Sequence, residues 1–197
     1  MLTAAIEELS GGGPAGLSLR AVARRAGVSH AAPKHHFGDR AGLLTALASE
    51  GFRRLGERFR NTPGLDAMPA AEQFVALGKT YLDFSVAESD LFEVMYGTEP
   101  LHADDPELMA ERQAMFKVLQ TVSGELRNPE ASPDGPTLPV ASLTAWALVH
   151  GLVMLVRDGS LQRVTNAESA ERTVELAREL MDEYARVRPP AIAQQQP

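Results

Sequence analysis

Ser29, His30, Lys34, His35, His36 and Arg40 fall within one short stretch of the chain, with Asp39 as its single acid. A hydroxyl, three imidazoles, an ammonium and a guanidinium at this density suit phosphate oxygens and the acceptor edges of bases better than they suit catalysis. No nucleophile elbow, phosphate-binding glycine loop, dinucleotide glycine motif or HExxH pair occurs, and there is no cysteine. Disulfides, thiolate zinc sites and thiol nucleophiles are therefore excluded, which fits a reducing, cytoplasmic setting. The expectation is that the protein is not an enzyme and needs no cofactor. His102, Asp104 and Asp105 come nearest to a metal set, but two acids before Pro106 read more simply as the start of a helix.

A second group is aromatic and sulfur-rich: Tyr81, Phe84, Phe92, Met95, Met115, Phe116, Trp146 and His150. At helical spacing such residues either fill a core or line a cleft for an apolar or aromatic small molecule. Trp146 and His150 lie four apart and so share a helix face. A buried imidazole also needs a polar partner.

These residues must be positioned by helices, because no alternating β-branched run or hairpin signal appears. The fold class expected is all-α, with about nine helices: a three-helix head and a helical-bundle body. The first helix runs from about Leu2 to Leu9, stopped by Gly11-Gly12-Gly13-Pro14. The second starts at Ser18 as N-cap and ends at Gly27. Ser29 caps the third, which reaches about His36. Asp39 caps the fourth, whose stripe is Leu43, Leu44, Leu47, Phe52, Leu55 and Phe59. Later helices are expected from Pro69, over Leu91–Tyr96, from Pro106 to about Leu126, over Val140–Arg157, and from a Thr165/Glu168 capping box to about Val187. Residues 128–136, rich in Pro and Gly, read as a loop, and 189–197 as a disordered tail. The expected domains are 1–48 for the head and 49–188 for the body.

Within the head, Ala23 provides the small residue where two steeply crossing helices touch, and Gly27 supplies the positive φ of the turn between them. Val22, Ala26 and Val28 are expected to plug the space behind. The third helix then presents its N-terminal end to a major groove. There His30 or Lys34 would reach base edges or phosphates, and Ala31 and Ala32 would meet a thymine methyl. His35, His36 and Arg40 are placed for backbone contacts. His35 and His36 stand about 100° apart on the helix, so one of them is expected to pack partly against the head.

Charge is divided accordingly. The chain carries −7 in total, yet residues 17–60 carry +6 and residues 61–197 carry −11. A basic head on an acidic body suits a nucleic-acid reader joined to a sensing body. Leu138–Val156 lacks any charged residue, but Pro139, Ser142, Thr144, His150 and Gly151 dilute it, so a helix buried on all sides is expected there, with no membrane.

LSLRAVARRAGVS followed by HHFGDRAGLL resembles the signature of the tetracycline-repressor (TetR) family. The likeness covers about residues 1–55: Leu17-Ser18-Leu19-Arg20, the Ala26-Gly27-Val28-Ser29 corner, His36-Phe37, Arg40 and the leucine pair that follows. Trp146, His150 and Gly151 resemble the subtype named for its Trp-His-Gly pattern. The resemblance implies a ligand-responsive transcriptional regulator, a repressor released from a pseudo-palindromic operator. Its partners would be double-stranded operator DNA, a small effector and a second copy of itself. It implies that Ser18, Arg20, Ser29, His30, Ala31, Ala32, Lys34, His35, His36 and Arg40 serve DNA, with Lys34, His35 and Arg40 on phosphates. It also implies a four-helix dimer interface, for which Leu148, Leu152, Leu155, Val174, Ala177, Met181 and Tyr184 are the candidates. Effector binding would shift the sixth and seventh helices against the fourth and change the separation of the two heads.

Two features depart from the family's pattern. Lys34 stands where tyrosine is usual, keeping a cation but losing a ring of fixed geometry. The basic lead-in before the first helix is missing, Met1 standing almost inside that helix. A ligand-binding or protein-interaction module with weakened DNA binding is the alternative these two features support.

Overall fold

The computed structural model describes residues 1–122 and 140–187, and every regular element among them is a helix. In order the helices are α1 (Leu2–Gly16), α2 (Leu19–Ala26), α3 (Ala32–Phe37), α4 (Arg40–Arg60), a short 3-10 turn (Leu65–Ala67), α5 (Ala70–Ala87), α6 (Ser89–Tyr96), α7 (Pro106–Val122), α8 (Val140–Arg157), α9 (Ser160–Thr165) and α10 (Ala170–Val187). The all-α class and the bounds of α8 agree with the sequence reading. The loop expected at 128–136 and the tail at 189–197 lie outside the described residues.

The described chain divides into two compact units. Met1–Glu57 and Ala87–Met115 make the first, which holds α1–α3 and α6. Here α1 packs on α2 and α6, and α2 on α3. Leu9, Leu17, Val22, Ala23, Leu43, Leu44, Leu47, Phe52 and Leu55 are buried, so most of the stripe read along the fourth helix is core. Arg58–Val86 and the described part of Phe116–Pro197 make the second unit. In it α8 packs on α9 and α10. Phe59, Leu77, Tyr81, Leu82, Phe84, Val149, Val153, Ala177 and Met181 fill its core.

Several boundaries differ from the sequence reading, each for a local reason. The first helix does not stop at Gly11. It continues to Gly13, which takes φ 63° and ψ 179° and breaks the axis, and Pro14 restarts it. A proline fits there because the first turn of a helix has no bond for its nitrogen to make. Ser29 does not cap α3: that cap is Ala31, without a side-chain bond, and Ser29 instead offers its carbonyl to Ala32 N–H. Thr165 and Glu168 do not form a capping box. Thr165 ends α9, a helix the sequence reading missed, and its hydroxyl donates back to Leu161 O. Asn166 at φ 52° turns the chain, and Ser169 Oγ caps α10 by accepting from Arg172 N–H.

Candidate functional site

The head is built around the corner between α2 and α3. Ser18 Oγ accepts from Ala21 N–H at 3.2 Å and fixes the start of α2. Gly27 takes φ 66° and passes its N–H back to Ala23 and Arg24, closing the helix. Ala23 is fully buried, as the crossing requires. Val28 is not the plug expected: it is 40% exposed, and Phe37 and Pro33 close the inner side of α3 instead.

This corner leaves one face open. Ser29, His30, Ala31, Lys34, His35 and His36 are all exposed, and Ala32 is half-buried. Both imidazoles of the His35-His36 pair therefore reach solvent, although the His36 ring also meets Phe37 edge-on at 4.5 Å. On α2, Arg20 and Arg24 are exposed and four residues apart, hence on one side of the helix. Arg24 was missed in the sequence reading, and its spacing from Arg20 was the available signal. Arg25 does not join them, because Glu8 and Glu7 hold its guanidinium.

Arg40 stands apart from this open face. Its Nη2 donates to Pro14 O at 2.7 Å, its Nε to Leu17 O at 3.3 Å and its Nη1 to Glu99 at 2.7 Å. The end of α1, the approach to α2, the first turn of α4 and the segment after α6 thus share one guanidinium. Beside it Asp39 Oδ1 caps α4 through Gly42 N–H, and His102 Nε2 lies 3.4 Å from the same oxygen. His102 N–H donates to Thr45 Oγ1 at 2.9 Å. This polar seam from Glu99 to His102 was not visible in the sequence, since its members come from distant elements. Asp105 caps α7 through Leu108 N–H, in keeping with a helix start. Among the described residues no cluster of His, Asp or Glu suits a metal ion.

The aromatic candidates separate. Phe92, Met95 and Met115 are buried core of the first unit, where Phe92 and Phe52 pack on the Tyr96 ring. In the second unit, Tyr81, Phe116, Trp146 and His150 form a continuous group. Tyr81 Oη lies 2.8 Å from His150 Nδ1. His150 stacks on Trp146 at 5.0 Å and 22°, and Trp146 meets Phe116 edge-on at 5.7 Å. Burial pushes the His150 imidazole below its usual value, so the neutral ring prevails near neutrality. Phe84 is fully buried elsewhere in this unit, with the Arg58 guanidinium over its ring. The group pairs apolar ring faces with a phenol and an imidazole able to orient a polar substituent.

Of the residues considered for pairing, Ala177 and Met181 are buried in the chain's own core, where Met181 and Val149 press on Gly78. They therefore face inward. Leu152, Val174 and Tyr184 are half-buried, and Leu148 and Leu155 are exposed. Within the single chain α8 exposes Thr144, Ala147, Leu148, Gly151, Met154 and Leu155 along one side. Among the described residues no helix is long and apolar enough to cross a membrane.

Residues 1–47 match the family described as bacterial regulatory proteins of the tetR family, and residues 74–184 match the tetracyclin repressor-like C-terminal domain. No curated protein sequence matches. Among solved structures, a Rhodococcus sp. RHA1 protein of unknown function is 32% identical, with a TM-score of 0.67 over 91% of this chain and 90% of that one. The TetR-family regulator PfmR from Thermus thermophilus is 18% identical, with a TM-score of 0.60 over 94% and 96% of the two chains. Bacillus subtilis FadR, crystallised with stearoyl-CoA, is 16% identical, with a TM-score of 0.59 over 92% and 94%. The last two share the fold.

Proposed function

The chain belongs to the tetracycline-repressor family of bacterial regulators, so it is a ligand-responsive DNA-binding protein, and from that premise we propose a homodimeric repressor released from a pseudo-palindromic operator by a small apolar or aromatic effector. The observation that carries the DNA half is the exposed face of Ser29, His30, Ala31, Lys34, His35 and His36, flanked by Arg20 and Arg24. It concentrates donors and cations on the turn and the second helix of a bihelical corner, the part such a corner lays in a major groove. Arg40 supports this face by tying its frame together, rather than by reaching for phosphate itself.

The effector half rests on the group of Tyr81, Phe116, Trp146 and His150. FadR was crystallised with stearoyl-CoA, so this fold admits a ligand with a long apolar portion. For this chain, stacked rings with one phenol–imidazole pair favour an apolar body bearing a single polar group. The exposed apolar side of α8 supports pairing with a second copy about a two-fold axis, which would set two reading helices at half-site separation.

Two measurements test the reading. Binding of the protein to duplex DNA from upstream of its own coding region should weaken steeply as salt rises and retain a preference over random duplex. Trp146 is the chain's single tryptophan, so effector binding should change its fluorescence, and the same compound should lower operator affinity. A compound that binds at Trp146 and leaves operator affinity unchanged at saturation would refute the coupling.

A further inference from the structure

The chemistry of the open head face restricts which base it can select. From Leu9 to Gly38 the chain contains no Asp, Glu, Asn, Gln, Thr or Tyr. The acceptors its side chains offer there are three serine hydroxyls and the imidazole nitrogens. Ser10 belongs to α1 rather than to the corner, and Ser18 Oγ already accepts from Ala21 N–H as the cap of α2. That leaves Ser29 and the three histidines, and an imidazole accepts through one nitrogen only, in its neutral form.

Each base offers a different pattern in the major groove. Adenine pairs an acceptor with an amino donor and is read by an amide. Cytosine offers an amino donor and is read by a carboxylate. Thymine offers a single acceptor, O4, beside its methyl, whereas guanine alone offers two adjacent acceptors, O6 and N7, and is read by Lys or Arg. The face of α3 has neither an amide nor a carboxylate. It has Lys34, three residues on from Ala31, the N-cap of α3, while His30 stands in the turn before the helix. Lys34 is exposed, has no hydrogen-bond partner among the described residues, and is a donor whether or not the neighbouring imidazoles carry a proton.

Resting on the DNA-binding reading above, we propose that this head selects guanine, with Lys34 as the residue that donates to guanine O6 and N7 and Ala31 as the methyl that meets an adjacent thymine. The exposed arginines of α2, Arg20 and Arg24, carry the phosphate contacts. This assignment gives the lysine a base to read, in a position where a phosphate contact alone would carry no sequence information.

Selection from a random-sequence duplex library with the purified full chain, followed by resynthesis of the enriched duplex with 7-deazaguanine in place of guanine, tests this directly. Enriched half-sites should share at least one fixed guanine. Removing its N7 should weaken binding roughly tenfold, an effect that Lys34→Ala should abolish while leaving binding to other sequences less changed. Replacing Arg20 or Arg24 by Ala should weaken all duplexes alike and reduce the salt dependence. Enriched sites without a fixed guanine would overturn the proposal, as would a Lys34→Ala variant that loses affinity equally for every sequence, since that is the mark of a phosphate contact. If no sequence is enriched, the DNA-binding reading itself fails and takes this inference with it.

Discussion

Arg40 shows how a residue's type can be legible while its role is not. A cation at the first turn of a helix behind a reading helix looks suited to phosphate. Its three donor groups instead go to Pro14 O, Leu17 O and Glu99, two of them carbonyls at the end of α1, of which Pro14 O also accepts from Leu17 N–H. Arg40→Lys keeps the charge but cannot reproduce the fork, so thermal or urea unfolding should show a loss of about 1–3 kcal/mol. Glu99→Gln keeps a hydrogen-bond acceptor and should cost less than Arg40→Lys in the same unfolding experiment, because the pair is partly exposed and screened by water. His150 gives a prediction of the opposite kind. Burial lowers its native value below the usual 6.5, so the unfolded chain takes up a proton before the folded one does. Its contribution to stability is complete above about pH 6.5 and is lost as pH falls below that toward the native value. His150→Gln should flatten this part of the stability–pH curve, measured by urea denaturation across pH 5–8. Tyr81→Phe, which removes the hydroxyl beside Nδ1, should leave the curve in place but weaken any effector oriented by that pair.

At the scale of elements, small residues decide where helices can turn or touch. Gly27 is legible from sequence because the corner between α2 and α3 demands a positive φ, and the structure gives it 66°. Gly27→Ala should destabilise the head by about 1–2 kcal/mol and reduce DNA affinity in a fluorescence-anisotropy titration, since a side chain in that conformation is strained. Gly78 was not singled out from sequence, yet a Cβ there would come within 3.2 Å of Met181 Sδ and 3.4 Å of Val149. It marks where α5 approaches α8 and α10, a fact that depends on three elements distant in the chain. The missed α9 has the same origin. Its six residues bury little beyond Leu161, so the segment carries almost no amphipathic signal, and the bend at Asn166 hides the true cap at Ser169.

For the whole molecule, the side of α8 left open is the largest consequence of folding. Leu148, Met154 and Leu155 are each at least 40% exposed on a helix that lacks charge until Arg157. Isolated exposed leucines are ordinary, but a continuous stripe with Gly151 and Ala147 between them suits a second copy brought close. Leu148→Glu combined with Leu155→Glu should shift the protein from dimer to monomer in sedimentation equilibrium, weakening association at least tenfold. A monomer of wild-type protein at micromolar concentration would remove the pairing from the account.

What the sequence determined alone was whatever depends on neighbours in the chain: the all-helical class, the α2–α3 corner with Ala23 and Gly27, the core stripe of α4, and the concentration of donors between Ser29 and His36. These follow from spacing, capping and backbone freedom, which act over a few residues. The tertiary structure decided which way each side chain of a two-sided helix points. It turned Ala177 and Met181 inward and Leu148 and Leu155 outward, drew Arg40 into the frame rather than the open face, and joined Tyr81 to His150 across about seventy residues of chain. Periodicity says that a helix has an apolar side. Which surface that side meets depends on packing between distant segments, and no local pattern encodes it.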